Sequence, residues 1–190
     1  ITKGFNMLTF TNNIKVSNVS LKSNEPKYEQ VSWTGQSLQR LTGIQYYELE
    51  FTLNFNIKNR SEVQAFIGEY GQGKNFEFPL GHLSTYAGAQ TGAVSCTSSR
   101  AAGNIEIPTS TQSLELGTLI QFTNHKKIYR IIARTNTSVT IFPALRSGIQ
   151  SGEMMVYDGL VLNAQLDASN DFSIPITNVV QMKFTGREKF

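Results

Sequence analysis

The segment that most restricts the fold is residues 47–57, in which large apolar and polar residues alternate without interruption. A period of two places every apolar side chain on one face of a β-strand and every polar side chain on the other. The pattern therefore predicts a long strand with one buried and one polar face. The apolar positions are Tyr47, Leu49, Phe51, Leu53, Phe55 and Ile57, and the polar positions are Glu48, Glu50, Thr52, Asn54 and Asn56.

An amphipathic helix is predicted directly after this strand, over residues 60–70. Asn59 and Glu62 have the spacing of an N-cap residue and its reciprocal partner, and apolar residues follow at helical intervals as far as Gly71. The glycines after the helix predict a turn into a short strand at residues 76–78, which Pro79 ends. The apolar residues of the predicted helix are Val63, Phe66, Ile67 and Tyr70.

The rest of the chain consists of short strand patterns separated by Gly, Asn and Pro. Residues 80–91 contain no periodic apolar set and indicate a crossing between domains. Five short strands within about fifty residues then suit a small barrel, and strands near both chain ends can pair because the termini of compact domains often lie close together. Further strands are predicted at residues 7–10, 14–21, 28–33, 38–41, 93–97, 105–107, 118–122, 128–134, 139–142, 155–166 and 179–185.

These patterns predict a mainly β protein with one helix and two domains. Residues 1–82 together with residues 155–190 are expected to form one discontinuous domain, a split barrel or β-sandwich. Residues 83–154 are expected to form a smaller inserted β-barrel.

The composition excludes several classes of protein. With 39% hydrophobic and 16% charged residues and no glycine repeat, the 190-residue chain is expected to fold rather than remain disordered. No apolar run approaches the roughly 18 to 20 residues that span a bilayer, so we expect a soluble protein without membrane insertion. The net charge of +3 comes from scattered residues and is weak evidence for a nucleic-acid partner.

Groups suited to catalysis or metal binding are few. Cys96 lies in a predicted strand with no glycine elbow, which favours a buried structural thiol over a nucleophile. His82 lies in the predicted crossing and His125 in a predicted hairpin turn, so both are expected to be solvated. No ligand spacing matches a metal motif, and the segment Gly71-Gln-Gly-Lys74 lacks the remainder of a phosphate-binding loop. We therefore expect no enzyme activity, no metal and no cofactor.

A local basic cluster contains Lys126, Lys127, Arg130 and Arg134, and the first three are the candidate ligand-contact site of the predicted barrel. Small barrels often bind oligonucleotides or sugars, and Phe122 and Tyr129 could offer stacking surfaces. The alternative is that the lysines form a solvated hairpin tip above a core of apolar residues. A carbohydrate- or nucleic-acid-binding module is therefore the second hypothesis for function. The core residues under the alternative interpretation are Phe122, Ile128, Ile131 and Ile132.

Several segments together resemble the distal tail proteins of long-tailed bacteriophages, in the version with an OB-like insert. The similarity covers most of the chain, but the motifs are short and structural. They are Leu38-Gln-Arg-Leu-Thr-Gly-Ile-Gln-Tyr-Tyr-Glu-Leu-Glu-Phe51, the helix motif Val63-Gln-Ala-Phe-Ile67, Phe76-Glu-Phe-Pro79, Leu116-Gly-Thr-Leu-Ile-Gln-Phe-Thr-Asn-His-Lys-Lys-Ile-Tyr-Arg-Ile131, Ile141-Phe-Pro-Ala-Leu-Arg146 and Lys183-Phe-Thr-Gly-Arg-Glu188.

The resemblance implies a virion protein, made in the host cytoplasm, that forms a ring at the lower end of the tail tube. The ring usually has six copies around a channel for DNA, with the tail tube protein and the tip, hub or fibre proteins as partners. The first and last segments would form the ring, and the OB-like barrel would project outward, where it could contact a host-surface glycan. Loops or polar strand faces of the first domain would line the channel, with Glu48 and Glu50 as candidates. Strands of neighbouring subunits would pair, which would place residues 47–57 at an interface unless they are central within one subunit.

Overall fold

The computed structural model describes residues 8–190 and divides the chain into two compact units. The first unit contains the described residues up to Ser23, Tyr47–Pro79 and Val161–Lys189, and the second contains Asn24–Tyr46, Leu80–Leu160 and Phe190. Within the described residues the fold is mainly β, with one α-helix, α1 (Arg60–Tyr70). The strands are β1 (Ile14–Asn24), β2 (Lys27–Val31), β3 (Ser37–Leu41), β4 (Tyr46–Asn56), β5 (Asn75–Pro79), β6 (Val94–Ser95), β7 (Glu106–Pro108), β8 (Leu119–Phe122), β9 (His125–Arg134), β10 (Ser138–Phe142), β11 (Met154–Val156), β12 (Val161–Leu166) and β13 (Val179–Glu188).

The first unit is built on a five-stranded sheet in the order β1-β4-β13-β12-β5. β4 is the strand predicted from the alternating pattern, and its apolar residues from Tyr47 to Phe55 are at most 4% exposed. The long-strand prediction is therefore confirmed, except that Ile57 lies in the 3₁₀ helix that follows, Ile57–Asn59. Because β1 and β13 flank β4, this strand is central within one subunit and has no free edge.

Helix α1 covers the apolar face of this sheet, and its bounds agree with the predicted helix. Phe66 of α1 lies 5.6 to 6.5 Å, between ring centroids, from Phe51, Phe76 and Phe184. Phe51 also stacks on Phe184 at 5.4 Å, across the register in which β4 and β13 pair. This cluster of phenylalanines is the centre of the first core.

Asn59 occupies the N-cap position of α1, as predicted, but the predicted capping interaction with Glu62 is wrong. The Asn59 side chain makes no capping hydrogen bond, since the chain enters the helix through a 3₁₀ turn that holds Asn59 at φ −101° and ψ 11°, outside the extended region of an N-cap. Asn56 is the capping residue of that turn and accepts from the Lys58 N–H at 3.0 Å. The Glu62 carboxylate instead accepts from the Thr11 N–H at 2.8 Å and from the Thr11 hydroxyl at 2.7 Å.

The second unit contains a six-stranded sheet in the order β6-β11-β8-β9-β10-β7. An antiparallel bridge between Cys96 and Thr109 joins the chain just after β6 to the chain just after β7, and the Thr97 N–H donates to the Pro108 carbonyl at 3.0 Å. The two outer strands therefore meet, and the sheet curls around a core of its own. The buried residues of that core are Val94, Cys96, Ile107, Leu114, Ile120, Phe122, Tyr129, Ile131, Val139, Ile141, Leu145, Ile149 and Met155.

β2 and β3 form a separate antiparallel hairpin, in which Lys27 pairs with Leu41 and Val31 pairs with Ser37. Gly35 takes φ 83° in its turn, a backbone conformation that favours glycine. Every residue of the two strands is exposed. The hairpin thus has strand geometry without any buried face.

Three sequence predictions differ from the structure. The strand predicted over residues 155–166 is two strands in different sheets, β11 and β12, because Gly159 takes φ 64° between them. Ile132, predicted as core, is 51% exposed. The strand predicted over residues 7–10 begins outside the described residues, and residues 8–10 form no strand.

The units divide the chain at different positions from those predicted. The second unit runs from Leu80 to Leu160, where the sequence suggested an insert of residues 83–154, and it also includes Asn24–Tyr46. Neither unit is a continuous piece of the chain.

Candidate functional site

A groove of about 630 Å³ lies on the second unit, between the 3₁₀ helix Gly81–Ser84 and the start of β8. We call it the tyrosine groove. Its lining mixes apolar and polar groups from segments far apart in the sequence, and a volume of about 300 to 1,000 Å³ is usual for small-molecule sites. The lining residues are Leu83, Ser84, Thr85, Tyr86, Ala87, Gly88, Glu115, Gly117, Thr118, Leu119 and Tyr157.

Glu115 is the charged group of the tyrosine groove, and its carboxylate is held in place by the loop that follows the 3₁₀ helix. The Tyr86 hydroxyl donates to one carboxylate oxygen, and the Ala89 N–H donates to the other at 2.8 Å. These two hydrogen bonds, that of Tyr86 first, lower the pKa of the Glu115 carboxyl. Burial and the same bond raise the pKa of the Tyr86 phenol. At neutral pH the groove therefore holds a carboxylate beside a neutral phenol.

Close packing fixes this loop around Glu115. A Cβ atom on Gly88 would lie 2.1 Å from a carboxylate oxygen of Glu115, so no larger residue fits here without a shift. The Gln90 side chain accepts from the Ser113 N–H at 2.8 Å, which ties the loop to the strand connection opposite. The wall of the groove is thus pinned by specific hydrogen bonds.

Two tyrosines meet in the tyrosine groove. The Tyr86 and Tyr157 rings make an edge-to-face contact with centroids 4.9 Å apart. The Tyr157 hydroxyl donates to the Gly92 carbonyl at 2.9 Å, and Asp158 accepts from the Tyr86 N–H at 2.8 Å. Both rings are partly buried against the core of the second unit, so their orientation is fixed while part of each ring faces the groove.

The basic cluster predicted from sequence does not form a common surface. Lys127 is completely buried, whereas Lys126 and Arg130 are half-buried. The Lys127 ammonium donates to the Gln45 side chain at 2.7 Å and lies 5.1 Å from the centre of the Phe190 ring. The prediction that both lysines lie at a solvated hairpin tip is therefore wrong for Lys127. A buried ammonium must be paired within the protein, so Lys127 cannot contact a ligand either.

Lys127 instead belongs to a polar cluster that holds the base of the β2–β3 hairpin on the second unit. Arg146 donates to the Gly43 carbonyl at 3.3 Å, and its guanidinium lies 5.3 Å from the Phe190 ring. With the bond between Lys127 and Gln45, two contacts fix residues that directly follow β3. This explains why Asn24–Tyr46 groups with the second unit although β2 and β3 are exposed.

The candidates for catalysis all belong to the second unit. Cys96 is buried and free, and burial raises the pKa of its thiol to about 11. His125, predicted in a solvated turn, begins β9 and hydrogen bonds to the Tyr129 hydroxyl at 3.0 Å, and burial lowers the pKa of its imidazole. His82 is exposed, as expected. Among residues 8–190 no group of three His, Cys, Asp or Glu could hold a metal ion.

Glu48 and Glu50, the candidates for the channel lining, lie on the polar face of β4 in the first unit. Lys22 lies 3.6 Å from Glu48, and Lys183 lies 2.9 Å from Glu50. Both glutamates are half-buried. This face therefore carries charges of both signs.

The largest exposed apolar side chains are found on the β2–β3 hairpin. Trp33, at its tip, is 99% exposed, and Tyr28 and Leu38 are 71% and 73% exposed. The first unit adds a groove of about 420 Å³ beside α1, lined mainly by isoleucine and Phe172, in which Ile176 is 98% exposed. Both surfaces expose apolar area that is usually covered in an assembly.

No protein-family model and no curated protein matches this sequence. None of the helices described within residues 8–190 is long and apolar enough to cross a membrane.

Proposed function

We propose that this chain is a structural protein of a bacteriophage tail tip, a distal tail subunit that assembles into a ring of identical copies. The ring has six copies, and DNA passes through its central channel. The first unit forms the ring, and the second is an OB-like barrel that projects outward. The tail tube protein and the tip, hub or fibre proteins are the neighbours, and the protein acts through surfaces rather than catalysis.

The observation that carries this proposal is the β2–β3 hairpin. A two-stranded hairpin without a packed face is marginally stable in water, and this one exposes Trp33 almost fully and most of Tyr28 and Leu38. Its base is nevertheless anchored by buried contacts of Gln45 and by the Gly43 carbonyl. An anchored arm with an apolar tip is typical of a contact with another subunit, where burial of the tip stabilises both partners.

The sheet of the first unit supports the same proposal. Since β4 is central, pairing between subunits falls to the outer strands, β1 and β5. β1 is the longer of the two, with 11 residues, and a long outer strand in an isolated protein is an aggregation hazard. Asn18 interrupts it with φ 50°, a kink that limits unspecific pairing. A specific neighbour is therefore the better partner for this edge.

A contact between an arm on one copy and a different surface on the next is heterologous, and such contacts generate closed rings when the rotation per subunit closes. The apolar groove beside α1 is a surface of suitable chemistry to receive the arm. Glu48 and Glu50 would face the channel, where carboxylates disfavour binding of DNA phosphates.

The test is the mass of the full-length protein in sedimentation velocity across a range of concentrations. The wild type is expected to form a closed oligomer, and the double variant Trp33→Ser/Leu38→Ser is expected to remain largely monomeric. Leu116→Ser is the matched control, because Leu116 is 63% exposed but lies outside the hairpin, and it should assemble like the wild type. Unchanged assembly of the double variant would refute the role of the hairpin.

A binding module is the second candidate function, and one observation favours it. The tyrosine groove is a preformed concave site on the second unit, whereas Lys127 of the basic cluster is buried and cannot contact a ligand. The geometry thus supports carbohydrate better than nucleic acid as the ligand of such a module.

A further inference from the structure

We infer that the tyrosine groove binds an uncharged saccharide. The inference concerns a specific site on the second unit, and it holds whether or not the chain assembles into a ring. It deepens the second candidate function by naming the residues and the class of ligand.

The first argument is the chemistry of the lining. A pyranose ring has apolar C–H faces and a polar rim of hydroxyl groups, and it needs an apolar platform beside hydrogen-bonding groups. The groove supplies the platform with Tyr86 and Tyr157 and adds Leu83, which is 43% exposed. Glu115 and Thr118 supply polar groups at the same place. The Thr118 hydroxyl makes no hydrogen bond within the described residues, and it can therefore donate to or accept from a sugar hydroxyl.

The second argument is that the site is preformed. The Glu115 carboxylate is oriented by the Tyr86 hydroxyl and the Ala89 N–H, and each of its oxygens can still accept a further bond from a ligand. Gly88 allows the loop to approach this carboxylate more closely than any other residue could. Because the loop is already ordered by these hydrogen bonds, little of the free energy of ligand binding is lost in ordering the site.

The third argument excludes anionic ligands such as nucleic acid. No lysine or arginine is among the residues that line the groove, and Glu115 places a negative charge in it. Arg134, outside the lining, also acts on this carboxylate, and its effect on the pKa of the carboxyl is smaller than that of the Tyr86 and Ala89 hydrogen bonds. Phosphate groups would be repelled, and nucleic-acid sites depend on cations that neutralise phosphate. The chemistry therefore favours a ligand whose hydroxyl groups donate hydrogen bonds to the carboxylate.

A cationic ligand fits less well than a sugar. Recognition of a cation by aromatic rings requires ring faces turned toward a shared space. Here the edge of one tyrosine packs against the face of the other, with an angle of 73° between the rings of Tyr86 and Tyr157. The two rings therefore act as one platform rather than as a cage.

The experiment is saturation-transfer difference NMR with the full-length protein, which detects weak binding by signals on the ligand. The probes are methyl glycosides of the common hexoses, N-acetylhexosamines and 6-deoxyhexoses, each at about 10 mM, which saturates a site with a Kd of about 1 mM. Tetramethylammonium and a thymidine oligonucleotide are measured under the same conditions. Transfer to the ring protons of at least one glycoside is expected, with none to the other two probes.

Three variants assign the signal to the groove. Thr118→Trp places a large ring in it and should abolish transfer, and Glu115→Gln should weaken binding about tenfold through loss of a charge-assisted hydrogen bond. Glu106→Gln is the matched control, because Glu106 is an exposed carboxylate on β7 of the same unit, and it should bind like the wild type. Circular dichroism checks that each variant is folded.

The inference is overturned if no glycoside shows transfer from the wild type, if transfer persists in Thr118→Trp, or if a titration of Glu115→Gln gives the wild-type Kd. Binding of tetramethylammonium or the oligonucleotide that Thr118→Trp abolishes would also overturn it, because the groove would then take a charged ligand. None of these results depends on the oligomeric state, so the ring proposal can fail or succeed separately.

Discussion

Replacing Phe51 by alanine is expected to destabilise the first unit by about 4 to 5 kcal/mol, at the upper end of the range for buried Phe→Ala. Phe51 is completely buried, and its ring lies 5.0 Å from Phe78, 5.4 Å from Phe184 and 6.5 Å from both Phe66 and Phe76. These four rings come from α1 and from two strands, β5 and β13. The cavity left by the substitution is therefore walled on several sides by elements that cannot collapse together, and the lost contacts are not regained.

Urea unfolding followed by far-UV circular dichroism measures this loss. Fluorescence would not serve, because Trp33 is 99% exposed and does not report on the core. With a slope of about 2 kcal/mol per molar urea, the midpoint of the first unit should fall by about 2 M. Thr52→Ala is the control, since Thr52 lies on the opposite face of β4 and should cost less than about 1 kcal/mol. Equal shifts for the two variants would refute the assignment of the buried face.

Three further predictions concern the second unit. Since burial raises the pKa of Cys96 to about 11, a disulfide reagent at about pH 8 should modify this thiol only after denaturation, and rapid reaction of the native protein would contradict this. Lys127→Ala removes the ammonium donor from Gln45, so limited proteolysis should cut the hairpin faster than in Lys126→Ala, and equal rates would count against the anchor. Burial lowers the pKa of His125 below its unfolded value, so its contribution to stability is lost as the pH falls below about 6.5. The fall in thermal midpoint between about pH 7.5 and 5.5 should therefore be smaller in His125→Gln, and an unchanged fall would contradict the assignment.

The first unit was largely predictable because its elements carry long, regular patterns. β4 alternates over its whole length and α1 has apolar residues at helical spacing, so local sequence and tertiary packing favour the same structure. The cap of α1 was not predictable from spacing alone. Thr11 lies 51 residues from its partner Glu62, and a contact across that distance competes with the local capping bond.

The break between β11 and β12 illustrates a limit of periodicity. The apolar pattern resumes after Tyr157, and the dipeptide Asp158-Gly159 marks the point at which the chain passes from one sheet to another. An Asp-Gly dipeptide is typical of a turn, so the sequence contained a signal for the break that apolar periodicity alone did not show.

Lys127 was misassigned because it follows another lysine beside a predicted turn. One signal could have found it, since Lys127, Tyr129 and Ile131 occupy alternate positions of β9 and all three are buried. Its partner Gln45 lies 82 residues away and could not be inferred. The tyrosine groove could not be predicted from the sequence for the same reason. Its residues Tyr86, Glu115 and Tyr157 come from three separate segments without a shared motif.

Electron microscopy of the purified full-length protein tests the central claim most directly, because it shows symmetry as well as size. The account predicts ring-shaped particles with a central channel, and six copies of the 21.1 kDa chain would give about 127 kDa. Particles of monomer size at every concentration, or open filaments without closed rings, would contradict it.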